Sequence, residues 1–153
     1  SFAFERLATF DAGAWKAMRD APPPEAPGIP FLGADRDAGA VESARANADR
    51  AGVGDRVRIV RAAVSDIRPP EGAARGLVMV NPPYGGRIGE RERLFALYGA
   101  LGEALRARFG GWRVGLVTAD AGLASATGLP FAEPGPPVPH GSLKVRLHRT
   151  GPL

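Results

Sequence analysis

The 153-residue sequence contains no cysteine and only two histidines, His140 and His148. The lack of cysteine excludes disulfides and thiol chemistry, and two isolated histidines make a metal site, zinc in particular, unexpected. No apolar run approaches the roughly 20 residues that a membrane-spanning helix needs. Residues 1–20 carry charges throughout and have no apolar signal-peptide core. These absences predict a cytoplasmic protein that binds no metal and enters no membrane.

Composition is ordinary for a globular protein, with 44% hydrophobic and 24% charged residues. The length predicts one domain that has a substantial core. We expect residues 1–29 to form an N-terminal helix and a proline-rich connector, and residues 30–153 to form the core. The net charge of +4 fits a polyanionic partner such as a nucleic acid. The excess of arginine over lysine is equally typical of codon bias, so charge alone leaves both readings open.

The hydrophobic pattern alternates between short strands and helices. Apolar runs predict strands at 30–34, 56–64, 76–80, 112–118 and 142–148. Helical periodicity and capping residues predict helices at 12–19, 38–51, 90–109 and 121–128. Strand–helix alternation followed by a terminal hairpin predicts an α/β fold with a mostly parallel sheet.

The functional interpretation depends on the strand 76–80 and on the residues Asn81-Pro82-Pro83-Tyr84 that follow it. The apolar run predicts a buried strand, and two prolines force the chain to turn. The Asn81 side chain and the Pro82 carbonyl can accept hydrogen bonds from an exocyclic amine, while the Tyr84 ring stacks on a flat base. This combination indicates the catalytic loop of an S-adenosylmethionine-dependent methyltransferase that acts on a nucleobase amine. Taken alone, the same residues are also compatible with a simple tight turn.

A second candidate site lies at Asp35, which follows the first predicted strand. Ligands of open α/β sheets bind beyond the carboxyl ends of the strands, where an acid can accept both hydroxyls of a ribose. The alternative is that Asp35 and Asp37 only form a turn and a helix cap. The cap explains Asp37 well, whereas for Asp35 both interpretations stay open.

Further segments accompany the Asn-Pro-Pro-Tyr turn. They are Gly33-Ala-Asp-Arg-Asp37, Ala44-Arg-Ala-Asn-Ala48 with Ala51-Gly-Val53, Gly85-Gly-Arg-Ile-Gly89, Leu97-Tyr98, Phe109-Gly-Gly-Trp112 and His140-Gly-Ser-Leu143. In combination they resemble the C-terminal part of the THUMP-associated class I RNA methyltransferases, especially those that methylate guanine N2 of large-subunit ribosomal RNA. The resemblance spans roughly residues 1–148. The family has Asn-Gly-x-Leu where this sequence has His140-Gly-Ser-Leu143.

The resemblance implies a class I, Rossmann-like methyltransferase sheet with helices on both faces and a C-terminal antiparallel hairpin. It implies S-adenosylmethionine as cofactor, ribosomal RNA as substrate and a THUMP domain upstream of Ser1. The implied catalytic residues are Asn81, Pro82, Pro83 and Tyr84, and the implied cofactor contacts are Asp35, Arg36, Val64, Asp66 and Asn81. Arg87 is a candidate for contact with RNA phosphate, and a solvated arginine at the start of the helix is the alternative.

Two features depart from the family pattern. The family's first strand and glycine-rich loop, which hold the methionine half of the cofactor, should precede residues 30–34, and nothing in residues 1–29 resembles them. We therefore expect a partial catalytic domain that leaves two sheet edges unpaired, binds the cofactor weakly and is inactive alone. The acid that binds the adenine amine would align near Ala63. That contact then falls to backbone groups or to Asp66.

Three other functions remain open at this stage. A dinucleotide-dependent oxidoreductase would use Asp35 for ribose but would leave the Asn-Pro-Pro-Tyr turn unexplained. An RNA-binding module without catalysis would fit the absence of a cofactor loop. Within the methyltransferases, adenine N6 is the alternative to guanine N2, because both amines suit the same acceptors.

Overall fold

The computed structural model describes residues 2–21, 28–84 and 90–153. Its strands are β1 (Phe31–Asp35), β2 (Val57–Arg61), β3 (Leu77–Val80), β4 (Arg113–Thr118), β5 (Val138–His140) and β6 (Leu143–Arg149). Its helices are α1 (Ala12–Asp20), α2 (Ala38–Arg50), α3 (Arg91–Arg108) and α4 (Ala121–Ala126), with 3-10 turns at Ala3–Arg6 and Val64–Asp66. The sequence predicted each α-helix and four of the five longer strands close to these bounds.

The strands form two separate sheets. β1 pairs in parallel with β2, and the larger sheet has the order β3-β4-β6-β5. β3 and β4 are parallel, whereas β6 runs antiparallel to both β4 and β5. The predicted α/β fold with parallel strands and a C-terminal antiparallel hairpin is confirmed, and two of the four strand pairings are parallel.

The core lies between α3 and the larger sheet. α3 buries Tyr98, Leu101 and Leu105 on one face, and β4 contributes Val114 and Leu116. This stripe follows from the spacing of three and four residues that places side chains on one face of a helix. Gly111, at φ +81°, lies just beyond the end of the helix, in the left-handed region where glycine is favoured.

The β1–α2–β2 unit is organised by its polar turns. The Asp37 side chain accepts a hydrogen bond of 2.7 Å from the Ala40 backbone N–H and so caps α2. Gly52, at φ 70°, follows the end of α2, as predicted. The Arg45 guanidinium donates to the Ile59 carbonyl, which ties the helix to β2. Val41 is the buried apolar residue of this unit.

Two predictions about the strands were wrong in detail. The strand predicted at 56–64 ends at Arg61, because β1 ends at Asp35 and the Ala62 N–H donates to the Asp35 carbonyl. Val64 then enters a 3-10 turn and packs against the core, and the Arg108 guanidinium at the end of α3 donates to the Ser65 and Ile67 carbonyls. The chain thus leaves the smaller sheet to join the larger core.

The second wrong detail is the burial of β3. Val78 and Val80 pack against the core, but the side chains of Leu77 and Met79 are 61% and 56% exposed. β3 has a partner only on its β4 side within the described residues, and β1 likewise pairs only with β2. Phe31 of β1 is 53% exposed. Apolar side chains therefore lie uncovered on both strands, each of which has one unpaired edge in the described structure.

None of the helices in the part of the chain that the structure describes is both long and apolar enough to cross a membrane.

Unpaired apolar edge strands promote association between chains. We expect the isolated chain to self-associate at micromolar concentrations and Leu77→Lys to reduce that association, because a charge on an edge strand opposes pairing. Leu7→Lys is the matched control, since Leu7 is 60% exposed but lies outside the sheets. Analytical ultracentrifugation measures the outcome. Equal association of the two variants would contradict an edge-driven mechanism.

The packing of α3 against α4 can be tested with two glycines of the same helix. A Cβ at Gly102 would overlap the Thr127 carbonyl, whereas one at Gly99 would lie 3.9 Å from the Ala126 carbonyl oxygen. We expect Gly102→Ala to destabilise by about 1–3 kcal/mol through overpacking. Gly99→Ala should be neutral or stabilising by up to about 1 kcal/mol, because alanine favours helix. Urea unfolding followed by circular dichroism distinguishes the two; equal effects would show that the helices do not pack this closely.

Candidate active site

The larger sheet brings two polar segments to one edge. β3 and β4 are parallel with Val80 opposite Leu116, so the residues after Val80 lie beside the end of β4. The segment after β3 is Asn81-Pro82-Pro83-Tyr84, and the segment after β4 is Ala119-Asp120. The carboxyl edge of parallel strands is where α/β sheets bind their ligands.

The Asn-Pro-Pro-Tyr turn is anchored at one end and open at the other. Asn81 is exposed, which leaves its amide accessible to a ligand. Tyr84 is half-buried and packs against the core. Pro82 is half-buried and Pro83 is exposed. The turn therefore exposes Asn81 to solvent, while Tyr84 at its other end packs against the core.

Asp35 is the last residue of β1 and is exposed. Its Oδ1 accepts a hydrogen bond of 2.8 Å from the Asp37 N–H. A carboxylate has two oxygens and about four acceptor positions, so this bond leaves capacity for a ligand. The turn and the ligand interpretations of Asp35 are therefore compatible.

The neighbours of Asp35 come from the end of β2. Asp35 lies opposite Arg61 in the parallel register, and the Arg61 Nε donates to the Arg36 carbonyl at 3.1 Å. The Arg36 side chain is exposed. Arg61 was not singled out from the sequence, because its contact with Arg36 arises only once β1 and β2 are paired.

The remaining predicted cofactor residues follow β2. Val64 is half-buried and packs against the core, so one side of it is already covered. Asp66 is exposed, and its Oδ1 accepts a hydrogen bond from the Ser65 hydroxyl at 3.3 Å. Within the described residues, no hydrogen bond connects the Asp35 group with the Asn81 group. Arg87 lies outside the described residues.

Three polar residues beneath the turn were missed as site residues in the sequence. The Tyr98 hydroxyl lies 3.3 Å from the Pro83 carbonyl oxygen and 3.4 Å from Thr118 Oγ1. The Asp120 N–H donates to Thr118 Oγ1 at 3.2 Å, and the Asp120 carboxylate caps α4. Tyr98 has the spacing of a core residue on the apolar face of α3, so the sequence gives no sign of this polar contact.

The β5–β6 hairpin reaches past the same edge. Arg146 pairs with Thr118, the last residue of β4, so residues 143–145 extend beyond the end of β4. Lys144 is exposed, and the Arg146 guanidinium donates to the Gly135 carbonyl at 3.0 Å. A cationic hairpin therefore lies at the same edge of the sheet as the Asn-Pro-Pro-Tyr turn, with β4 between them.

The described residues include no cluster of three or more histidines and acids that could hold a metal ion. The chemistry available at this edge consists of amide and carbonyl acceptors at Asn81 and Pro82, one aromatic ring and carboxylates. Amide and carbonyl oxygens can accept hydrogen bonds from an amine.

Comparison with known proteins identifies relatives over most of the chain. Residues 5–131 match the family described as RMKL-like, methyltransferase domain. Over 135 residues the chain is 39% identical to the ribosomal RNA large subunit methyltransferase K/L of Chromohalobacter salexigens, covering 84% of this chain and 18% of that protein.

Solved structures agree on the fold. SMU.472, described as a methyltransferase complexed with SAH, is 26% identical to this chain and superposes on it with a TM-score of 0.77. The match covers 100% of this chain and 40% of SMU.472. TrmN from Thermus thermophilus is 27% identical with a TM-score of 0.66, over 84% of this chain and 38% of that one. The chain thus spans less than half the length of these relatives. Its strands and helices follow the class I, Rossmann-like methyltransferase fold. The chain belongs to the RMKL-like methyltransferase domain family.

Proposed function

We propose that this chain is part of the catalytic domain of an S-adenosylmethionine-dependent methyltransferase that acts on guanine N2 of ribosomal RNA. The observation that carries the proposal is the exposed Asn81 at the carboxyl end of β3, in an Asn-Pro-Pro-Tyr turn anchored on the core. The 39% identity to a ribosomal RNA methyltransferase supports the substrate class.

The turn recognises the amine through its acceptors. Both hydrogens of an exocyclic –NH2 can donate, one to the Asn81 side-chain oxygen and one to the Pro82 carbonyl. These bonds favour a more pyramidal nitrogen, whose lone pair is less delocalised into the ring and more nucleophilic. Tyr84 stacks on the base, which leaves its helix to reach the site.

The cofactor supplies an electrophilic methyl group on a sulfonium. Methyl transfer is an in-line displacement, in which the nitrogen–carbon bond forms as the carbon–sulfur bond breaks. The chain contributes mainly position and electrostatics. The amine becomes cationic as it is methylated, so its proton can leave afterwards and a strong base at the turn is not required.

The residues around Asp35 fit the ribose and adenine parts of this cofactor. Asp35 retains acceptor capacity for the ribose hydroxyls after its bond to the Asp37 N–H. Arg36 follows it on the same loop, and Val64 offers an apolar contact for the adenine ring. Asp66 or backbone groups take the adenine amine. The solved relative described as complexed with SAH supports this cofactor class.

The proposal extends beyond the residues of this chain. The unpaired edges of β1 and β3 and their exposed apolar side chains support a missing strand between them. That strand and its glycine-rich loop would hold the methionine half of the cofactor, and a THUMP domain upstream would bind RNA. The contact between Arg87 and RNA phosphate stays a prediction. Weak cofactor binding by residues 1–153 alone also stays a prediction.

We expect Asn81→Ala to abolish methyl transfer by a polypeptide that carries the whole methyltransferase domain. The exposed amide contributes to the amine contact but little to packing, so the melting temperature should stay within about 2 °C, equivalent to roughly 0.5–1 kcal/mol for a domain of more than 150 residues. Asn47→Ala, on the exposed surface of α2, is the matched control. Tritiated-methyl transfer to ribosomal RNA is the assay, and near-normal turnover by Asn81→Ala would make the turn purely structural.

The ribose contact is tested by a pair of neutralising variants. Asp35→Asn keeps the acceptor for the Asp37 N–H but removes the charge, so cofactor affinity should fall roughly 10–100-fold, the range for a hydrogen bond to a charged group. Asp37→Asn loses the same charge two residues away, and asparagine also caps helices well. Calorimetric titration with S-adenosylhomocysteine compares the two. Equal affinity of the two variants would remove Asp35 from the cofactor site.

A further inference from the structure

The Asn-Pro-Pro-Tyr turn rests on a buried hydroxyl of α3. The side chain of Tyr98 is 0% exposed, and its hydroxyl lies 3.3 Å from the Pro83 carbonyl oxygen and 3.4 Å from Thr118 Oγ1. Both contacts are longer than the roughly 2.7–2.8 Å typical of hydroxyl hydrogen bonds, and they give this buried hydroxyl its partners. The Tyr98 hydroxyl is thus a polar contact between the turn and an otherwise apolar face of α3.

The Tyr98 hydroxyl has one proton and two neighbouring oxygens, those of the Pro83 carbonyl and of Thr118. A carbonyl only accepts, whereas a threonine hydroxyl can also donate, so both bonds form together only when the Tyr98 proton serves the Pro83 carbonyl. The contact between the Tyr98 and Thr118 oxygens then uses the threonine proton. Thr118 Oγ1 also accepts the Asp120 N–H at 3.2 Å. The chain of bonds runs from the end of β4, through Tyr98, to the turn.

The charge state of Tyr98 suits this role. Burial raises the pKa of its hydroxyl above the ordinary value, the Thr118 hydrogen bond opposes that rise, and Asp120 and Tyr84 reinforce it. The phenol therefore stays protonated and remains a donor to the Pro83 carbonyl across the physiological pH range.

The geometry of proline makes this single bond effective. Proline fixes φ, so the freedom of Pro82 and Pro83 lies in ψ. Upstream, Val80 is fixed by its pairing with β4. Downstream, a hydrogen bond on the Pro83 carbonyl fixes ψ of that residue. The turn is thus held at both ends, with only Asn81 and Pro82 between the two anchors.

We infer that Tyr98 is a positioning residue for methyl transfer: its hydroxyl holds the Pro83 carbonyl so that the Asn81 and Pro82 acceptors keep one arrangement toward the amine. The inference rests on the function proposed above. Tyr98 touches neither substrate nor cofactor. It acts by limiting the motion of the turn, and misplacement by about 1 Å can cost roughly 100-fold in rate.

The test uses Tyr98→Phe in a polypeptide that carries the whole methyltransferase domain, because phenylalanine keeps the ring and removes only the hydroxyl. We expect kcat to fall about 10–100-fold, with KM for the cofactor within about threefold of the unmodified protein. Thr118→Val, which removes the second link of the chain, should lower kcat less. Thr150→Val is the matched control, since Thr150 is a buried hydroxyl that accepts the Val114 N–H near the opposite end of β4.

The values of kcat and of the melting temperature together distinguish a positioning role of Tyr98 from a structural one. A loss of kcat in Tyr98→Phe, at a melting temperature close to that of Thr150→Val, supports the inference. Unchanged kcat in Tyr98→Phe, beside an inactive Asn81→Ala, overturns the inference and leaves the proposed function intact. A loss of kcat with a melting temperature far below that of Thr150→Val overturns it in favour of a structural role. An active Asn81→Ala removes the turn from catalysis and overturns the inference with it, whereas absence of methyl transfer by the unsubstituted protein overturns the proposed function itself.

Discussion

The parallel pairing of β3 with β4 is the constraint on which the candidate site depends. With Val80 opposite Leu116, the turn after β3 must lie beside the segment after β4. α3 then packs across the sheet and brings the Tyr98 hydroxyl under the turn. A one-residue slip in register would send Val80 to the open face and turn Asn81 away from its present position, because side chains alternate along a strand. The core and the site are thus products of the same pairing.

Much of the fold could be predicted because local signals and tertiary packing agree. Asp37 caps α2 as expected, and the apolar stripe of α3 contacts the core. The predictions failed where the outcome depends on a neighbouring strand. The apolar run of β3 predicted burial, yet Leu77 is exposed, since hydrophobicity reveals what a strand can bury but not whether a partner covers it. The end of β2 likewise depends on where β1 stops.

Some residues of the candidate site could be predicted from the sequence, and others appear only once the strands and helices pack together. Asn81 and Asp35 could be identified from sequence because each is a polar residue that follows an apolar strand, and the structure exposes both. Tyr98 could not, since its spacing is that of a core residue and its polar role appears only when the Pro83 carbonyl is within reach. The contact between Arg61 and the Arg36 carbonyl also requires the folded register. Polar residues that would contact a ligand can be identified from the sequence, whereas residues that hold them in place can be identified only from the folded structure.

In the proposed function, the Asn-Pro-Pro-Tyr turn presents an RNA base amine to a methyl donor. The most direct measurement is to incubate ribosomal RNA with the complete enzyme and isotopically labelled S-adenosylmethionine, digest the RNA to nucleosides and identify the labelled one by mass spectrometry. The account predicts label in N2-methylguanosine. Label in N6-methyladenosine would contradict the guanine assignment while retaining amine chemistry. Label on a ribose oxygen or a ring carbon would contradict the account itself.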